Sequence, residues 1–92
     1  MKTTKRKEFI KFLVDLGFDL GTSDSGIRCF YNNEPLFLVN DYKRFKLEII
    51  GDLEKLDGEL PYKIYSEVMK YASLKVEDRF REYEIEIKRI EE

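Results

Sequence analysis

The apolar residues of this chain change their spacing twice, from helical to alternating and back, and few architectures accommodate that order. Phe9, Phe12, Leu13 and Leu16 fall at i, i+3, i+4 and i+7, with Ile10 and Val14 widening the stripe, which is the pattern of an amphipathic helix. The spacing predicts a helix over residues 4–16, capped by Thr3 or Thr4 and stopped at Gly17, with Phe18 folding back. Alternation then takes over. Residues 27–32, 34–40 and 42–50 read as three strands, the first two joined by Asn32-Asn33, which tolerate the positive φ angles of a tight hairpin. In the third, Phe45, Leu47 and Ile49 face one way and Arg44, Lys46 and Glu48 the other. Helical spacing returns after Pro61, with Ile64, Tyr65, Val68, Met69 and Ala72 as the expected buried face.

This order implies an α+β fold, α-β-β-β-α-α, with a three-stranded antiparallel meander and the helices packed on one of its faces. Ninety-two residues make one domain, 1–92, with room for a single modest core. The stretch between Gly21 and Gly26 reads as a polar loop. Its glycines are five apart, as in the start of a phosphate-binding loop, but no Gly-Lys-Ser/Thr follows.

The last segment admits two readings. Val76, Phe80, Tyr83, Ile87 and Ile90 are spaced 4-3-4-3, a helical seam. Tyr83, Ile85 and Ile87 also alternate with charged residues, which is strand periodicity, so residues 82–90 are open to a strand as well.

The chemistry available is narrow. There is no histidine, and the single Cys29 lies in an alternating apolar run without a base, as a small buried hydrophobe would. Acid–base work falls to carboxylates, Lys or Tyr, and the acidic residues gather at predicted loops and helix ends, where solvation and capping account for them. Asp52, Glu54, Asp57 and Glu59 are the one cluster of interest for a hard cation, but they lack the ligand order and central glycine of an EF-hand loop. The reading is of a non-enzymatic protein without catalytic, cofactor-binding or metal residues. No apolar run approaches the ~20 residues that span a bilayer, and the acidic residues in the first apolar run spoil a signal peptide. A cytoplasmic protein without membrane contact is expected.

Two binding surfaces suggest themselves. Six tyrosines are too many to bury in a domain this small, and the ring is favoured at protein interfaces. Tyr62 and Tyr65 share a flank of the second helix and, with Tyr83, form a candidate partner-binding set. The alternative is nucleic acid, engaged by Lys2, Lys5, Arg6 and Lys7 with Lys43, Arg44 and Lys46 of the third strand. A net charge of −2 does not favour it. Helix, three strands, helix is also the order of double-stranded RNA-binding domains, but the lysine-rich start of their last helix is reduced here to Lys63. The same order resembles HicA-type mRNA-interferase toxins, which depend on a histidine this chain does not have.

Residues 60–81, LPYKIYSEVMKYASLKVEDRFR, carry a further resemblance. A Leu-Pro-initiated helix ending in Tyr-Ala, then a turn and an acidic-Arg stretch, resembles small uncharacterised proteins of phages and prophages of Firmicutes. The family pattern has Thr-Pro where this chain has Ser73-Leu74. The N-terminal helix ending in Gly17-Phe18 fits the same pattern. The resemblance implies a setting and no activity: a compact module that binds a host protein, as a stoichiometric inhibitor of a defence component such as a CRISPR effector. A homodimer through the C-terminal seam is the other association expected.

Overall fold

The computed structural model describes residues 2–84. They form β1 (Lys2–Thr3), α1 (Lys5–Asp15), β2 (Asp19–Thr22), β3 (Gly26–Tyr31), β4 (Glu34–Asn40), β5 (Leu47–Ile49), a 3-10 turn (Leu53–Lys55), α2 (Leu60–Ser73), α3 (Val76–Phe80) and β6 (Tyr83–Glu84). The fold is α+β, and its main sheet is an antiparallel meander in the order β2-β3-β4-β5.

Local signals set the first helix. The Thr4 side chain accepts from the Lys7 N–H at 3.1 Å, a hydrogen-bonded N-cap. At the other end Gly17 takes φ 91°. Its N–H reaches Val14 O at 2.9 Å and that of Phe18 reaches Leu13 O at 3.2 Å, the paired bonds of a Schellman stop. Phe9 and Leu13 are buried, whereas Val14 and Leu16 stand exposed, so the stripe is narrower than its sequence spacing implies.

The sheet has four strands where three were expected. Residues 19–22, placed in or beside a loop by composition, pair with β3 from Asp19↔Phe30 to Thr22↔Ile27. Asp, Leu, Gly and Thr hold no alternating signal. Backbone pairing on the neighbouring strand makes this edge, and propensity does not. The hairpin turn follows expectation, with Asn32 at φ 50° and Asn33 at φ 65°. At Gly26 a Cβ would stand 2.1 Å from Val39 O, so only glycine permits β3 to approach β4 there.

One sheet face carries the core. Ile27, Cys29, Phe37 and Val39 meet Phe9 and Leu13 of α1 and Ile64, Val68 and Ala72 of α2, each large apolar side chain contributing about 1.5–3 kcal/mol of burial. Arg28 and Glu48, on the opposite face, are exposed.

Three further expectations are corrected. The third long strand is short: only Leu47–Ile49 pair with β4, and residues 41–46 leave the sheet as a loop. The buried face of α2 is rotated: Tyr71 is in the core, while Tyr65 and Met69 are exposed. Phe9 of α1 stacks on Tyr71 at 4.5 Å between centroids and 6° between planes, which draws that flank inward. The helical seam does not run through the C-terminal segment, for α3 ends at Phe80 and Tyr83–Glu84 pairs antiparallel with Lys2–Thr3. A C-terminal coiled-coil dimer therefore has no continuous helix behind it among the described residues. The strand reading holds at 83–84, and residues 85–90 of it lie outside the described residues.

Candidate functional site

The loop joining β4 to β5 is closed by Asn40 N–H to Lys46 O at 2.9 Å. Everything between is held from beneath by a buried polar network. Asp41, 2% exposed, accepts from the Tyr71 hydroxyl at 2.7 Å and from Arg6 Nε at 3.1 Å. Its backbone N–H bonds Ser25 O at 3.0 Å. Three elements thus converge on Asp41: α1 through Arg6 and α2 through Tyr71 at its carboxylate, and the β2–β3 turn through Ser25 at its backbone. Burial, then the bond to Asp41, pushes the Tyr71 hydroxyl above its ordinary pKa, while nearby Arg79 and Arg6 oppose the shift.

Arg79 of α3 closes the network from the other side. It is 0% exposed, unusual for an arginine. Its Nη1 donates to Asn40 O at 2.6 Å and its Nη2 to Ala72 O at 2.9 Å. The guanidinium lies 4.9 Å from the Tyr71 ring centroid, a cation–π contact in a desolvated site. Its Nε meets no acceptor among the described residues. The Phe45 N–H also bonds Ala72 O, at 2.8 Å, and Arg44 Nε donates to Ser73 O. The carbonyls left open at the end of α2 are thereby satisfied by the loop and by Arg79. Both ends of the loop are pinned to one helix terminus.

What this scaffold presents is aromatic and basic. Tyr42 and Phe45 are exposed, as are Lys43, Arg44 and Lys46. Tyr42 stacks on Phe80 at 5.6 Å, and the Arg44 guanidinium lies 4.7 Å from the Phe45 ring centroid. Phe45 takes φ 63°, a left-handed conformation that costs a non-glycine residue about 1–2 kcal/mol. A strained backbone displaying a ring that is 61% exposed buries too little to account for itself.

α2 exposes a second aromatic set. Tyr62, Tyr65 and Met69 are separated by three and four residues and so share one side of the helix. Tyr62 is 76% exposed and Tyr65 50%. Phe45, tied to Ala72, sits at the C-terminal end of the same helix. The charged flank of α2 turns the other way, where Glu67 and Lys70 line a cavity of about 210 Å³ with Lys5, Glu8 and Phe9 of α1.

The expected site residues divide accordingly. Tyr62 and Tyr65 do share one exposed flank. Tyr83 does not join them: it pairs with Thr3, under the Lys5 ammonium at 4.9 Å, on the α1 side. Its interaction with Glu8 raises its hydroxyl pKa. Of the basic residues, Arg6 is spent on Asp41, Lys5 pairs with Glu8 at 3.6 Å, and Arg44 is bound to α2. Lys43, Arg44 and Lys46 lie on and beside a loop, not along a long strand. Cys29 is 0% exposed, and burial with the nearby Asp19 charge pushes its thiol up to about 12. Asp52 caps the 3-10 turn through Glu54 N–H at 2.9 Å. Among the described residues no group of three or more Cys, Asp or Glu is placed to hold a metal ion.

Sequence reasoning missed Asp41, Phe45, Tyr71 and Arg79. Asn40-Asp41, a turn-forming pair, was the available signal for the loop. Nothing marked Arg79 as buried. Compared with known proteins, the chain matches no family model, no curated protein and no solved structure.

Proposed function

We propose that this chain is a non-enzymatic protein-interaction module that binds a host protein one-to-one and blocks it. The observation that carries the reading is the pinned loop: Phe45 is held out at φ 63° by its bond to Ala72, at the C-terminal end of the helix that exposes Tyr62, Tyr65 and Met69. Rigid aromatic anchors on a preorganised scaffold lower the entropic cost of association. The resemblance of residues 60–81 to small phage and prophage proteins adds the setting: a phage-encoded inhibitor of host defence, with a CRISPR effector as the leading target class, acting in the host cytoplasm. No helix among the described residues is long and apolar enough to cross a membrane.

The test is comparative capture from a Firmicutes lysate with the wild-type chain and a Tyr62→Asp/Tyr65→Asp variant. A protein that co-elutes one-to-one with the wild type through size exclusion, and is lost with the variant, supports the reading. Equal retention by both contradicts the assigned surface.

A nucleic-acid-binding accessory role is the second reading, and one contact favours it. The Arg6–Asp41 bond sets the basic start of α1 beside the loop bearing Lys43 and Lys46. Retention of DNA or RNA that collapses between 50 and 200 mM salt, on the order of that salt range for phosphate-driven binding, selects it.

A further inference from the structure

Among the described residues β5 is an edge strand with no neighbour on its outer side, and the pattern of its ladder states what it offers. Asn40 N–H bonds Lys46 O and Ile50 N–H bonds Leu36 O, at 2.9 and 2.8 Å. Residues 46, 48 and 50 therefore turn their backbone groups toward β4, and Leu47 and Ile49 turn theirs outward, by the alternation of antiparallel pairing. No hydrogen bond among the described residues meets those outward groups. Leu47 and Ile49 stand opposite Val39 and Phe37, so their side chains lie on the helix-bearing face. Ile49 is nevertheless exposed. Lys46 and Glu48 lie on the other face, where with Leu38, Asn40 and Ser25 they border a shallow depression. Short as it is, the strand leaves the Leu47 and Ile49 backbone groups as a template on which another strand can pair.

We infer that a second copy of this chain covers it, β5 pairing antiparallel with β5 about a two-fold axis at Leu47, to join two four-stranded sheets into one of eight strands. The charges select that register. With Leu47 opposite the partner's Leu47, Lys46 stands opposite the partner's Glu48, and Glu48 opposite the partner's Lys46. These are non-hydrogen-bonded pairs, where side chains come closest. Leu47 with the partner's Leu47 forms the hydrogen-bonded pair on the axis, while the Phe45 N–H stays on Ala72 O, outside the ladder. Moving the axis to Glu48 keeps the outward groups in step but sets Glu48 against the partner's Glu48, and moving it to Ile49 sets Glu48 against the partner's Ile50 and carries Lys46 to the partner's Asp52, beyond the end of β5, where the Gly51 N–H already turns back to Leu36 O. A single self-complementary register is what an isologous contact requires.

The inference goes beyond the proposed inhibitor role and does not depend on it. It adds that a host protein meets two α2 flanks, on the same face of one continuous sheet, rather than one.

The test is the molar mass in solution, by light scattering across a dilution series, for the wild type, Lys46→Glu, Glu48→Lys and the Lys46→Glu/Glu48→Lys double variant. The wild type is expected at twice the 11.1 kDa chain mass. Each single variant sets two like-charge pairs across the dyad and is expected to weaken the dimer roughly tenfold or more. An equimolar mixture of the two single variants restores every pair, and so does the double variant, so both return to the dimer mass; this recovery also shows that the single variants fold. A wild type that stays monomeric at high micromolar concentration overturns the inference. So does a dimer indifferent to the single variants, or single variants whose mixture stays monomeric.

Discussion

The Tyr71 hydroxyl donates to the Asp41 carboxylate at 2.7 Å, across 30 residues of sequence, and this bond ties the β4–β5 loop to the middle of the core. Tyr71 is at once a core aromatic, stacked on Phe9, and the hydrogen-bond donor that lets a carboxylate be buried. Arg79 works in the same way from α3, filling a fully buried volume with a cation that satisfies two main-chain carbonyls. The outcome is a surface loop whose foundations are as buried as the core.

Tyr71→Phe keeps the ring and removes the donor. Asp41 then loses a buried partner, and the expected cost is about 1–3 kcal/mol of unfolding free energy. Arg79→Ala leaves a cavity, takes the side-chain donor from Asn40 O and leaves Ala72 O with the Phe45 N–H alone, for an expected loss of about 3 kcal/mol or more. Urea unfolding followed by circular dichroism reads both. Changes within a few tenths of a kcal/mol would show that the network is not formed in solution.

Phe45→Asn separates stability from recognition. Asparagine accepts a left-handed φ more readily than phenylalanine, and the exposed ring contributes little burial. The variant is expected to gain about 0.5–1 kcal/mol while losing affinity for the captured protein. A destabilised variant would mean that the ring packs on the fold and is not displayed.

Alkaline pH should weaken the fold through two groups. The Cys29 thiol is raised from an ordinary 9.0 to about 12, and the Tyr71 hydroxyl is raised from an ordinary 10.0. Each holds its proton more tightly when folded. Their contribution is therefore complete below about pH 9 and is lost as pH rises through the folded values. Thermal melts between pH 8 and 11 should fall progressively, and Cys29→Ala should flatten the first part of the decline. In parallel, a thiol reagent at pH 8 should modify Cys29 only at the rate of opening or unfolding. Immediate modification would contradict its burial.

Gly26→Ala tests the close approach of β3 and β4. A methyl group has no room against Val39 O, so the strands must part, with an expected loss of at least about 2 kcal/mol. The unfolding midpoint measures it. The same change at Gly17 finds open space, and its penalty comes only from φ 91°, about 1 kcal/mol.

Elements governed by local chemistry were legible in the sequence. Thr4, Gly17, Asn32, Asn33 and Pro61 each announced a helix end or a turn that the fold uses. Those decided by tertiary contact were not. β2 exists because β3 lies beside it, and residues 41–46 forsake a well-alternating strand because Asp41, Phe45 and Arg44 find better partners on α1 and α2. The inward turn of α2 toward Tyr71 follows from Phe9, 62 positions away, which no helical periodicity can register. Of the candidate site, the tyrosine flank was readable from helical spacing. The strained Phe45 was not, since alternation placed that ring inside.

The most direct measurement is calorimetric titration of the purified captured protein against the wild-type chain, the Tyr62→Asp/Tyr65→Asp variant and a Lys2→Glu/Lys7→Glu variant. The account predicts one-to-one binding per chain, weakened about a hundredfold or more by the tyrosine substitutions and left unchanged by the lysine substitutions. Full affinity in the tyrosine variant, or loss confined to the lysine variant, would contradict it.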